Sequence, residues 1–168
     1  MLIFELQDWQ IEYAESIAKH ANNQAVAKNL RNIFPYPYTI EDSKTYINIC
    51  INSDKTRNYP KAIVVNGEAV GTIGVFLQDD VYYKTAELGY WLGEAFWDKG
   101  IMSAAVKQIC DLAFEEYDIV RIFAEPFAHN IGSRKVLEKA GFQLEGVLQK
   151  SVCKNGRIFD SCIYAITK

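Results

Sequence analysis

The 168-residue sequence has no apolar run approaching the roughly 18 residues of a membrane span, and its opening, MLIFELQDWQ, lacks a basic segment, an apolar core and a cleavage site. These absences predict a soluble, cytoplasmic chain with no membrane partner. Lysine and arginine are scattered without a cluster in a chain of formal net charge -3, which argues against a nucleic-acid surface and fits a small or peptidic cationic partner better. The four cysteines, Cys50, Cys110, Cys153 and Cys162, have no paired metal-ligand spacing and stand among apolar residues, so they read as buried free thiols with no metal. The chain also lacks the Gly-Lys-Ser/Thr ending of a P-loop and the GxGxxG fingerprint of a dinucleotide fold. No linker, repeat or low-complexity segment divides it, and its length suits one core, predicting a single domain over 1–168.

What is present is a sequence of alternating periods. LIFELQ, residues 2–7, reads as a strand, and Asp8 as a cap for a helix that aligns Ile11, Ala14, Ile17 and Ala18. A proline-rich elbow, FPYPYT, precedes a second helix capped by Thr39 and carrying Tyr46, Ile47, Cys50 and Ile51. Strands follow over 61–65 and 69–78 about an Asn66-Gly67 hairpin signal, and a third over 85–93. After Gly100 the period changes: Met102, Ala105, Val106, Ile109, Leu112 and Ala113 recur at helical spacing. A strand over 119–126, a short helix from Asn130 to Gly141 and two strands about a KNGR turn complete the chain. The order predicts a mixed α/β (α+β) domain with a mostly antiparallel sheet of about seven strands and about four helices.

The stretch WDKGIMSAA, from Trp97 to Ala105, places one glycine before a helix. A helix N-terminus offers unpaired N–H groups and a positive dipole end, so the stretch reads either as a phosphate cradle or as an ordinary turn. Its neighbours bear on the choice. GYWLG followed by FWDKG, the N-x-x-S-x-x-x-L-x-K-x-G-F series from Asn130 to Phe142, LEGVL before the last hairpin, and LRNIFPYPYTIED together resemble the GNAT superfamily of N-acetyltransferases. The likeness is to its ribosomal-protein-alanine, RimJ/RimL-like branch and covers nearly the whole chain. It implies a strongly twisted sheet whose fourth and fifth strands splay apart around acetyl-coenzyme A. Pantetheine would pair with backbone near Trp91 and Leu92, and pyrophosphate would meet the amides of Lys99, Gly100, Ile101, Met102 and Ser103. The family loop pattern, Gln/Arg-x-x-Gly-x-Gly/Ala, falls on Trp97, Gly100 and Met102; Met102 is the larger departure, and its place on the apolar stripe predicts that it turns inward. Asn130, Lys135 and Arg134 would stand on the cofactor side, the last two toward the 3′-phosphate.

Acetyl transfer to an amine needs a neutral amine, a polarised carbonyl and a proton for the departing thiolate. Glu87 is the candidate base, against the plainer reading of a surface carboxylate. Where many members place a tyrosine this chain has Leu137, and the resemblance assigns the proton donor to Ser133; helix capping by Asn130 and Ser133 is the alternative. Phe34, Tyr36 and Tyr38 either wall the acceptor site or fill the core. His129 reads as a bystander and His20 as a complement to a helix dipole. The expected acceptor is a protein N-terminal α-amine or a small-molecule amine. A non-catalytic acyl-coenzyme A-binding module on the same fold is the second reading, a nucleotide-dependent enzyme a weaker third. Pairing of the last hairpin would decide between monomer and homodimer.

Overall fold

The computed structural model describes residues 2–168, so the Met1 end of the expected 1–168 domain lies outside the described residues. Seven strands, β1 (Glu5–Gln7), β2 (Asn58–Val65), β3 (Glu68–Leu77), β4 (Thr85–Leu92), β5 (Arg121–Ala124), β6 (Gln143–Lys154) and β7 (Arg157–Thr167), form one sheet in the order β1-β2-β3-β4-β5-β7-β6. Five helices accompany it: α1 (Ala14–Ala21), α2 (Gln24–Ala27), α3 (Ile40–Asn52), α4 (Ile101–Glu116) and α5 (Ile131–Lys139). Both hairpin turns follow from their Asn-Gly pairs. Asn66 and Gly67 have φ of 51° and 79°, Asn155 and Gly156 51° and 76°, the left-handed pair that matches the twist of adjoining strands. Helix α3 starts at a capping box in which the Thr39 amide donates to Asp42 Oδ2 at 2.8 Å and the Asp42 amide to Thr39 Oγ1 at 3.2 Å.

Four local details differ from expectation. Asp8 caps nothing: it pairs with Lys61 Nζ at 2.5 Å, whose hydrogen bond and charge hold its carboxyl below the ordinary range, and a 3-10 turn over Ile11–Tyr13 leads into α1 instead. The expected first strand shrinks to Glu5–Gln7, and α2 adds a fifth helix, begun by Asn23 Oδ1 accepting from the Ala25 amide at 2.8 Å. Cys50, Cys110 and Cys162 are buried, but Cys153 is exposed, because β6 is an edge strand and solvent reaches most of its length.

The sheet separates two apolar cores. On one face Ile73, Leu88 and Leu92 pack with Met102, Ile109, Leu137 and Phe142 from α4, α5 and the turn after α5. On the other, Ala62, Val64 and Trp91 pack with Ile17, Val26 and Ile47 from α1, α2 and α3. Strand alternation lets β2 serve both, with Ile63 and Val65 on the first face and Ala62 and Val64 on the second.

Among the described strands, β4 and β5 are the one parallel pair, and they stay together for only Thr85–Arg121, Ala86–Ile122 and Glu87–Phe123. Beyond that point β4 keeps its partner β3 as far as Leu92 opposite Gly71. The chain leaving β5 keeps to β7 instead: Pro126 O accepts from the Cys162 amide at 2.9 Å, the Ala128 amide donates to Asp160 O at 2.8 Å, and Phe127 bridges Ser161. Pro126 has no N–H to offer any ladder. The expected splaying of the fourth and fifth strands is present as a fork between Leu88–Leu92 and the β5 exit.

Glycine at position 71 keeps β3 and β4 in contact at the fork, since a Cβ there would stand 2.4 Å from Trp91 O and 3.1 Å from Leu92 Cα. Gly71→Ala is therefore expected to cost about 1–3 kcal/mol of stability in urea denaturation, the range of overpacking changes. An unchanged midpoint would show that the backbones do not approach so closely.

Candidate active site

The turn from Trp97 into α4 leaves a row of backbone donors free. Asp98 and Gly100 have φ of 58° and 76°, and the amides of Asp98, Lys99, Gly100, Ile101, Met102 and Ser103 find no acceptor among the described residues. Gly100 is the N-cap and brings no side chain to occupy them; space beside it is open, with nothing within 4 Å of a Cβ placed there. Together with the positive end of the helix dipole, such a row has the chemistry to receive an anion. Ser103 Oγ turns back to Gly100 O at 3.2 Å, and Trp97 Nε1 donates to Leu92 O at 2.8 Å, tying the loop to the end of β4. Lys99 is exposed and lies over the Phe96 ring. Ile101 and Met102 are buried in the α4 core, so the thioether lies away from the cradle.

At the start of α5, Asn130 Oδ1 accepts from the Ser133 amide at 3.2 Å, so Asn130 caps the helix. Ser133 Oγ lies 2.6 Å from Tyr90 Oη, a contact that crosses the fork from β4 to α5. Burial pushes the Tyr90 phenol up to about 12, which keeps it protonated at neutral pH. Tyr90 was not among the expected site residues; its signal was its place beside Trp91 in GYWLG, with strand alternation sending neighbours to opposite faces. Leu137 is fully buried in the core and faces no groove. Arg134 corrects an expectation: Nε donates to Tyr164 Oη and Nη1 to Ala128 O, both at 3.0 Å, so its guanidinium supports the fold beneath α5. Lys135 is exposed on that helix.

Glu87 and Trp91 occupy the other face of β4. The register sets Glu87 opposite Phe76, Gly89 opposite Gly74 and Trp91 opposite Thr72. The Phe76 ring covers Gly74, where a Cβ would come within 2.6 Å of it. The Glu87 carboxylate pairs with Arg31, from the segment between α2 and α3. Glu87 and Ser133 thus flank the fork from opposite sides of the sheet.

The aromatic elbow divides among three environments. Tyr38 is a core residue, 6% exposed, its amide donating to Asn22 Oδ1 at 3.0 Å; as an acceptor wall it is corrected, because its ring completes the α1–α3 core. Phe34 is half-buried, 5.0 Å from the Tyr38 ring and 5.8 Å from the Trp91 ring. Tyr36 is exposed. His20 sits in the last turn of α1 with Nε2 2.8 Å from Glu68 Oε1, and this contact holds the Glu68 carboxyl below its ordinary range. His129 packs beside Phe159, ring centres 4.5 Å apart.

A fork in a mixed sheet, opening beside a bare helix N-terminus, matches the architecture of an acetyltransferase domain: residues 4–143 fit the family model described as Acetyltransferase (GNAT) domain. Bacillus subtilis YjcK, named a probable N-acetyltransferase, is 35% identical over 132 residues, 77% of this chain and 73% of that protein. The ribosomal-protein-serine acetyltransferase of Escherichia coli is 31% identical over 111 residues, 65% of this chain and 62% of that one. Among solved structures, the microcin self-immunity acetyltransferase MccE, in complex with acetyl-CoA and AMP, superposes with a TM-score of 0.85 at 27% identity, covering 98% of this chain and 92% of that one. The chain belongs to the GNAT acetyltransferase family.

The inward setting of Met102 gives a direct test. Met102→Ala removes a core side chain and should lower stability by about 2–5 kcal/mol in urea denaturation. A cost near zero would place the thioether in the cradle.

Proposed function

We propose that this protein transfers an acetyl group from acetyl-coenzyme A to a primary amine by direct attack in a ternary complex, and that the amine is a protein N-terminal α-amine or a small-molecule amine. The observation that carries the reading is the fork: an open β4 edge, a row of six free amides at one end, and a carboxylate and a hydroxyl on its opposite sides. The residues fit the cofactor. Free amides over residues 98–103 suit a diphosphate without a basic side chain, and β4 beyond Glu87, where β5 has left it, suits an amide-bearing pantetheine arm running toward Trp91 and Leu92. Lys135, exposed on α5, is the cation on hand for a 3′-phosphate. When bound, the cofactor supplies an acetyl thioester. The relative named a ribosomal-protein-serine acetyltransferase supports a protein as acceptor.

The chain's own residues then manage protons at two atoms. Glu87 takes a proton from the ammonium form of the acceptor, directly or through water, and Arg31 orients that carboxylate. Ser133 Oγ gives a hydrogen bond to the departing sulfur. Tyr90 is a positioning residue: its protonated phenol donates to Ser133 Oγ, leaving the serine hydrogen free to point into the fork. Because Glu87 and Ser133 stand on opposite sides of the sheet, the group that accepts the amine's proton and the group that would serve the sulfur act on the fork from different faces.

With isotopically labelled acetyl-coenzyme A and a panel of peptide and small amines, the wild type should acetylate at least one amine. Cofactor binding without transfer to any would overturn the reading in favour of a binding module. Ser133→Ala should lower kcat at least about tenfold with KM for acetyl-coenzyme A nearly unchanged. Tyr90→Phe should lower kcat in the same way, leaving cofactor KM alone. Glu87→Gln should lower kcat most below the acceptor's own pKa, about 8 for an α-amine, and recover as pH rises and the amine deprotonates unaided. A pH-independent loss would remove Glu87 from the role of base.

A further inference from the structure

Lys154, the last residue of β6, is 8% exposed and forms no ion pair with any described residue. An ammonium withdrawn from water without a counter-charge is unfavourable, and lysine is rarely buried unless paired. The polar side-chain atoms sealed from solvent without a partner are Trp9 Nε1 and Ser43 Oγ among the described residues, so the equally unpartnered Lys154 nitrogen still reaches open space. Lys154 lines a cavity of about 280 Å³ with Arg31, Asn32, Phe127, Val152 and Cys153.

The cavity's place in the fold gives it a purpose. It lies between the segment joining α2 to α3 and the end of the β6–β7 hairpin, with Phe127 of the β5 exit between them. Arg31 both lines it and pairs with Glu87, so it adjoins the face of the fork opposite Ser133. Two cationic side chains therefore border a space beside the carboxylate that would receive the amine's proton, while Asn32 Nδ2 donates to Cys153 O at 3.5 Å. Arg31 already shares its charge with Glu87, whereas that of Lys154 is uncommitted.

We infer that this cavity is an anion subsite of the acceptor site, in which Lys154 binds a carboxylate carried by the acceptor, and that the preferred acceptor is an acidic peptide N-terminus. The inference rests on the acetyl-transfer reading for the location of the amine. The amine end of such an acceptor lies toward Glu87, and a carboxylate one or two residues further along, at up to roughly 3.5 Å per residue, reaches Lys154. Phe127 and Val152 supply an apolar wall for the intervening side chain.

Cys153 provides a readout independent of turnover, since it lines the same cavity and is exposed while the other three cysteines are buried. The rate of its modification by a maleimide is measured in the wild-type protein with peptide amides bearing glutamate at the second or third position, and with their glutamine counterparts. Glutamate peptides are expected to protect Cys153 at concentrations about tenfold lower or more, the discrimination of one well-placed charge. Lys154→Gln and Lys154→Met should both erase the difference, and Lys154→Arg should retain most of it; Lys154→Met, apolar and similar in length, guards against a packing defect. Equal protection by the two peptide series, no protection by either, or a difference that survives both neutral variants overturns the subsite. Selective protection with no acetylation of these peptides or of any other amine tested would leave the anion site standing and remove the acetyl-transfer reading instead, whereas selective protection with acetylation of other amines only would overturn the acidic peptide as acceptor, so the failures are distinguishable.

Discussion

The structure depends on one unequal competition between strands. After three parallel pairs, β4 stays with β3 while the chain leaving β5 stays with β7, and Pro126, lacking an N–H, marks the exit. Because β4 and β5 run parallel, the helices that follow them both start at the end where the strands separate. The free amides ahead of α4 and the capped first turn of α5 are therefore brought to the same opening by topology. Closing the fork by extending the parallel ladder would remove the site without changing any of its side chains.

Keeping amides free at a helix start has a structural requirement, since most helices satisfy them with a capping side chain. Here α4 is anchored by other means. Ile101 and Met102 are buried in the core, Trp97 bonds to Leu92 O, and Gly100 supplies the left-handed turn. The apolar anchor and the polar opening use different parts of the same residues: side chains face the sheet and backbone N–H groups face out. A large residue at position 102 is thus compatible with a cradle, as the helical stripe in the sequence indicated.

Features set by neighbouring residues were legible in the sequence. The two Asn-Gly turns, the Thr39 cap, the start of α4 after Gly100 and the capping by Asn130 all follow from interactions spanning a few residues. Features set by residues far apart were not. Tyr90 meets Ser133 across 43 positions and Arg31 meets Glu87 across 56, and neither pairing leaves a periodic trace. Asp8 looked like a cap because its true partner, Lys61, is 53 positions away. Helix α2 spans four residues, too few to display a period, and Cys153 looked buried because an edge strand reads like an interior one until its neighbours are known. The aromatic elbow shows the same limit: its three rings look alike in sequence but range from core to solvent.

The two apolar cores described on either side of the sheet have a consequence for how the protein tolerates change. They share strands, but their helices are distinct, α4 and α5 on one face and α1, α2 and α3 on the other. Energetic effects of substitutions that share no partners tend to add, so repacking one layer should be insulated from the other. On the proposed reading the segment around Arg31 and the tip of the β6–β7 hairpin form the acceptor side, away from the α4 anchor. Recognition of a new amine is then a local edit to one layer, made against a stability background that the other layer supplies unchanged.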